Sequence, residues 1–139
     1  MIAVTVKIEF DTAHRVVGHQ NKCKFLHGHR FVLKLTAKSS ELNELGMVAD
    51  FAELKQIMKE WIDDNFDHTV ILYDKDKKLG DSISDCTGQK IYYLAANPTA
   101  ENIALHLKKD IIPILFNKKP FEIIKVKLYE TPNAFVEVY

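Results

Sequence analysis

The sequence predicts an α+β layer fold, an antiparallel sheet with helices packed on it. Two alternating segments open the chain and two more close it, each pair spaced to form a hairpin. Between them lie two stretches whose apolar residues recur at helical spacing. No linker or internal repeat divides the 139 residues, so residues 1–139 read as a single domain.

In chain order, Val4 to Phe10 alternates β-branched or aromatic residues with polar ones and reads as a half-buried strand ending at Asp11-Thr12-Ala13-His14. Arg15 to Leu26 has no period and reads as a loop that delivers Cys23. A second strand is expected from about His29 to Lys38, with Phe31, Leu33, Leu35 and Ala37 on one face. After a turn at Glu41–Gly46 and a short extended lead-in, Asp50 offers an N-cap carboxylate and Glu53 a capping-box partner. The helix they start carries Leu54, Ile57, Met58, Trp61 and Ile62 on its apolar face and should end near Phe66, just before Asp67-His68. Residues 73–94 form a polar excursion, with a short helical turn expected around Lys75 to Leu79 and a strand at Ile91–Leu94. Thr99 then caps a second helix whose buried face is Ile103, Leu107, Ile111, Ile114 and Leu115, kinked or ended by Pro113. Phe121 to Tyr129 is a strand, Glu130 to Asn133 a turn, and Phe135 to Tyr139 the returning arm.

Composition narrows the function. Zero formal net charge argues against bulk binding to nucleic acid or membrane, and weakly favours self-association. No apolar run approaches the roughly 18 residues a membrane helix needs. Two cysteines and no signal-peptide-like h-region point to a reducing, cytoplasmic setting.

The chemistry concentrates in Cys23-Lys24-Phe25-Leu26-His27-Gly28-His29. On an extended chain His27 and His29 point to one side, while Gly28 leaves room for close packing opposite. His14, at the end of the first strand, can reach the same point from a neighbouring strand. Three imidazoles with an open fourth position make a catalytic zinc donor set, whereas structural zinc is normally closed by four protein ligands. The competing reading is three unrelated surface histidines. Near a dication Cys23 would ionise readily; by itself it reads as a small buried hydrophobe. Asp67-His68 is either a carboxylate-oriented acid or base, or a solvated turn. Glu130 has the acceptor geometry for a flat 2-amino-pyrimidinone edge, or is simply solvated.

Taken together, Phe10-Asp11-Thr12-Ala13-His14, Cys23-x-x-Leu26-His27-Gly28-His29, Gly46-Met47-Val48-Ala49-Asp50-Phe51, Asp67-His68, Asn97-Pro98-Thr99-Ala100-Glu101-Asn102 and Glu130-Thr131-Pro132 resemble, in order and across almost the whole chain, the 6-pyruvoyltetrahydropterin synthase family. The three residues between Cys23 and the histidine pair, with Leu26 before His27, are similar to the bacterial 6-carboxytetrahydropterin synthases. Two features depart from the pattern: Arg30-Phe31 stands where the family often has a tyrosine, and residues 73–94 are longer than in the shortest members. The resemblance implies a tunnelling fold (T-fold): a four-stranded antiparallel sheet with two helices on one face, three subunits closing a barrel, and two trimers stacking into a homohexamer. It implies one Zn²⁺ per subunit on His14, His27 and His29, with Cys23, Asp67 and His68 catalytic and Glu130, Thr99 and Glu101 at the substrate. The implied substrate is 7,8-dihydroneopterin triphosphate, converted to 6-carboxytetrahydropterin, acetaldehyde and triphosphate on the route to queuosine. Arg15, Lys22, Lys24 and Arg30 are candidates for the triphosphate. The alternatives are a 6-pyruvoyltetrahydropterin synthase and a non-catalytic zinc- and pterin-binding protein.

Overall fold

The computed structural model describes residues 1–139, and its centre is one long hairpin. Strand β1 (Ile2–His14) pairs antiparallel with β2 (His27–Ser39) along its whole length, from Ile2 opposite Ser39 to His14 opposite His27. Both strands run longer than predicted. β2 takes in His27 and Gly28, and β1 continues through Asp11-Thr12-Ala13-His14. Strand β3 (Thr69–Tyr73), β4 (Ile91–Leu94), β5 (Glu122–Thr131) and β6 (Ala134–Val138) complete a six-stranded sheet in the order β4-β3-β1-β2-β5-β6.

Strands β1, β2, β5 and β6 form the expected antiparallel group. The strand count differs, because β3 and β4 extend the β1 edge in parallel. β3 has no alternation to detect: Thr69, Val70, Ile71 and Leu72 are all buried, as in a parallel strand covered on both sides.

Helix α1 (Phe51–Asn65) buries Leu54, Met58 and Ile62 completely, and the Asp50 carboxylate accepts the N–H of Ala52 at 2.8 Å. Glu53 does not close a capping box; it pairs with Lys119. The excursion is more ordered than predicted. It contains α2 (Lys77–Thr87), which closes on Gly88 in the left-handed region at φ 73°. Gly80 lets this helix lie against β4: a Cβ there would stand 2.0 Å from the Tyr93 hydroxyl.

Helix α3 (Ala100–His106) runs through a π-helical turn, Leu107–Ile111, into a last turn, α4 (Ile112–Leu115). The wide turn lies just before Pro113, whose missing N–H breaks the regular ladder. It also moves the buried face. Ile103 and Leu107 are buried as expected, but the next buried residue is Ile112 rather than Ile111, and Ile114 is 74% exposed.

The helices and sheet enclose an apolar core that ends in aromatic rings. Phe10 stacks on Phe31 at 5.4 Å between centroids, and Phe66 closes on Phe10 at 5.8 Å. No helix is long and apolar enough to cross a membrane.

Candidate metal centre

The hairpin register builds the centre. His14 stands directly opposite His27, and His29 lies two residues further along the same face of β2. The ring centroids are 4.7 Å apart for His14–His27, 4.9 Å for His27–His29 and 5.2 Å for His14–His29. Beneath them, Phe31 meets His14 and His29 edge-on, each at 5.7 Å, so the rings rest on the aromatic end of the core.

Two of the rings have their tautomer set from behind. His14 Nδ1 donates to the Pro98 carbonyl at 2.6 Å, and His27 Nδ1 donates to the Phe25 carbonyl at 2.7 Å. A carbonyl only accepts, so each Nδ1 carries the proton and each Nε2 keeps a free lone pair. The Nε2 atoms of His14 and His29 are buried without a hydrogen-bond partner. An orphaned acceptor such as His14 Nε2 is costly unless something binds it. Burial is the main force lowering the pKa of both His14 and His29, which keeps them neutral as a metal ligand must be. The Glu130 carboxylate faces the same point, 3.1 Å from His29 Nε2 and 4.0 Å from His14 Nε2. The four atoms lie within 4.8 Å of one another, and the three imidazoles among them make a donor set that fits a divalent cation with a further position open.

Glu130 therefore stands nearer the imidazoles than sequence reasoning placed it. The β5 register, with its irregularities at Thr36/Ala37 and Tyr129/Thr131, decides that position and cannot be read from the chain. Gly28 is less constrained than expected, since an added Cβ would meet only the Thr12 carbonyl, at 3.5 Å. Glu130, His29 and Gly28 open on a cleft of about 630 Å³, with Lys7, Arg30 and Lys34 also on its wall.

A second group lies at the β1–β3 junction. Asp67 accepts the Asp11 N–H at 2.9 Å through one oxygen and faces His68 Nδ1 at 2.9 Å through the other. Adjacent side chains rarely converge. Here His68 adopts φ 57°, in the left-handed region, with its N–H bonded to the Asp11 carbonyl at 2.7 Å. Burial disfavours the charge on Asp67, but the Asp11 N–H and His68 outweigh it and lower its pKa. The bond to Asp67 raises that of His68, whose ring is largely exposed. His68 and His29 line one shallow cleft across β1.

The other predicted site residues are not gathered in. Cys23 lies half-buried in a short 3₁₀ turn, Lys22–Lys24, outside the four-residue donor group. The Thr99 hydroxyl accepts the Asn102 N–H at 3.1 Å as a helix cap, and Glu101 is exposed on the first turn of α3. What sequence reasoning missed in this motif is Pro98, whose carbonyl orients His14. Asn97 ties the motif down by bonding both the N–H and the carbonyl of Val17, at 2.8 and 3.0 Å. Of the triphosphate candidates, Arg15 is engaged by the buried Asp76, at 2.6 and 2.5 Å.

Fold and site define a class: an α+β domain with a cluster of three imidazoles beside a carboxylate that could hold a metal ion, and a separate Asp–His pair at the adjoining strand. A sequence profile of the family described as 6-pyruvoyl tetrahydropterin synthase matches residues 3–139. A Rickettsia felis protein named 6-carboxy-5,6,7,8-tetrahydropterin synthase is 57% identical over 138 residues, covering 99% of this chain and 100% of its own. A Haemophilus influenzae protein of the same name is 33% identical, covering 99% and 98%. The solved Caenorhabditis elegans 6-pyruvoyl tetrahydropterin synthase matches with a TM-score of 0.67 at 22% identity, over 99% of this chain and 94% of that one. The chain belongs to the 6-pyruvoyl tetrahydropterin synthase family.

Proposed function

We infer that this chain is a 6-carboxy-5,6,7,8-tetrahydropterin synthase. It would convert 7,8-dihydroneopterin triphosphate and water to 6-carboxytetrahydropterin, acetaldehyde and triphosphate, feeding queuosine synthesis. The observation that carries the chemistry is the buried His14 Nε2, an acceptor with no hydrogen-bond partner, gathered with the ligand atoms of His27 and His29 around one point. Full-length identity of 54–57% to four Rickettsia proteins of that name supports the choice of product.

His14, His27 and His29 would hold one Zn²⁺ per subunit. A bound zinc ion supplies Lewis acidity, stabilising negative charge on a substrate oxygen while a neighbouring carbon loses its proton. Cys23, as thiolate, takes that proton, and His68, oriented by Asp67, relays or returns it. Glu130 would anchor the pterin edge through paired hydrogen bonds, a role supported by its carboxylate standing 3.1 Å from His29 Nε2. Thr99 and Glu101 form the rim on the α3 side, next to Pro98.

Assembly into trimers, stacked as a hexamer, would bring Cys23 and the Asp67–His68 pair of different subunits to one site. In support, the Cys23 loop exposes Val17, Phe25 and Leu26 by 43%, 60% and 45%, an apolar surface that a neighbouring copy would cover. A reducing cytoplasm suits the unpaired thiols of Cys23 and Cys86.

Product analysis by mass spectrometry tests the reading, using zinc-loaded protein and 7,8-dihydroneopterin triphosphate without a reductase. Acetaldehyde with 6-carboxytetrahydropterin is the expected result. A pyruvoyl product would move the chain to the neighbouring activity, and bound pterin without turnover would make it a binding protein.

A further inference from the structure

The β1–β2 register sets Asp11 opposite Arg30, and both side chains rise from the sheet face opposite to the one that carries His14, His27 and His29. Arg30 Nη1 donates to the Asp11 carboxylate at 2.9 Å, and Arg30 Nη2 lies 3.8 Å from Glu9. An exposed ion pair of this kind adds little to stability. Its place in the fold gives it another use, because Asp11 is also the residue that holds the Asp67–His68 pair.

Asp11 meets that pair three times. Its N–H donates to Asp67 Oδ1 at 2.9 Å, and its carbonyl accepts the N–H of His68 at 2.7 Å. Its carboxylate completes a cluster in which polar atoms of Asp11, Asp67 and His68 lie within 4.8 Å of one another. The His68 carbonyl in turn accepts the Gln89 side-chain amide at 3.4 Å. His68 itself, at φ 57°, turns the chain from the end of α1 into β3. Glycine would make that left-handed turn at less cost. A histidine fixed there from both sides instead brings an imidazole beside two carboxylates, the kind of over-determined conformation that marks a functional position.

The charges around the ring oppose one another. Asp67 raises the His68 pKa through its hydrogen bond and its charge, and Asp11 raises it further; desolvation and the Arg30 guanidinium lower it. Beyond these, Lys59 acts on Asp67 from α1, and Glu9 acts on Arg30 from β1.

We propose that Asp11 and Arg30 are positioning residues for the Asp67–His68 pair: Asp11 fixes its geometry through the backbone, and the Asp11–Arg30 ion pair balances the charge around the imidazole. This rests on the enzymatic reading above, in which His68 relays the proton, and assigns the residues that tune that step.

NMR titration of the His68 ring in the full chain tests the balance without turnover. Asp11→Asn keeps both backbone bonds and removes one carboxylate, so His68 should titrate lower than in the unaltered chain. Arg30→Gln should make it titrate higher, and Arg30→Lys should leave it near the unaltered value. Asp11→Asn combined with Arg30→Gln should fall between the two single variants. These differences should shrink in about 1 M salt, which screens exposed charges; a ring that had merely been displaced would keep its shift. Asp11→Asn and Arg30→Gln moving the titration in the same direction, or not at all, would overturn the proposal. In turnover of 7,8-dihydroneopterin triphosphate, the limb of the kcat profile that follows His68 should move in the same order. A raised KM in Arg30→Gln with an unmoved profile would overturn it and make Arg30 a ligand of the substrate. Opposite shifts at His68, in a protein that turns over no substrate, would keep the charge balance at the ring and remove the enzymatic reading.

Discussion

The carbonyls of Pro98 and Phe25 act on the imidazole cluster from behind, because they leave Nε2 as the basic atom of His14 and His27, available to the proposed zinc. His27→Ala should therefore drop bound zinc from about one equivalent to near none; full metal occupancy in that variant would break the site. Cys23→Ala should retain metal and fold while losing turnover, since Cys23 lies outside the donor group; wild-type rates would remove it as the base. The Asp67–His68 pair sets a pH window. His68 is raised above its ordinary 6.5, so its share of stability is complete below that value and is lost as pH rises through the raised pKa. Asp67 is lowered, so its share is present above the ordinary carboxylate range and is lost as pH falls through the lowered pKa. The His68 ring resonance should titrate above 6.5 and move down in Asp67→Asn. An unmoved titration would show that the carboxylate does not orient the ring.

Helix α2 and the π-helical turn show where element-scale expectations meet the packing. A Cβ on Gly80 would overlap the Tyr93 hydroxyl, so Gly80→Ala should destabilise the protein by about 1–3 kcal/mol in denaturant unfolding. Tyr93→Phe should recover part of that loss, because the nearest clash is the hydroxyl oxygen itself. No recovery would place the strain elsewhere. The polar residues of α2 hide it in the sequence: among its eleven residues Gly80 is the buried one, so no apolar stripe announces the helix. The central hairpin strands and α1 were legible because each shows one buried face to the sequence pattern. β3, buried throughout, has no second face to alternate with, and the switch from Ile111 to Ile112 follows from a wider turn that propensity does not register.

For the whole molecule, the legible part of the site is the part built by local rules. His27 and His29 share a face by strand periodicity, and His14 joins them once the hairpin pairs end to end. The approach of Glu130 to His29, and of Arg15 to Asp76, depends on elements far apart in the chain meeting at a set register. The proposed assembly would lie a further step away, in the exposed apolar side chains around Cys23. If that assembly forms, Phe25→Asp should reduce the particle mass seen by light scattering while leaving the folded chain and its capacity for zinc intact. An unchanged mass would show that this surface is not an interface.

The pairing of His14 with His27 gives β1 something like a reading frame. Deleting one residue between Phe10 and His14 would turn His14 toward the opposite side of the sheet. Deleting two would restore its side but shift it along β2, away from the Pro98 carbonyl. Length changes should therefore be tolerated in the Arg15–Leu26 loop or the 73–94 excursion before they are tolerated at this end of β1. A captured ion would act as a proofreader of the hairpin, binding tightly only to chains whose first two strands have aligned in the correct frame.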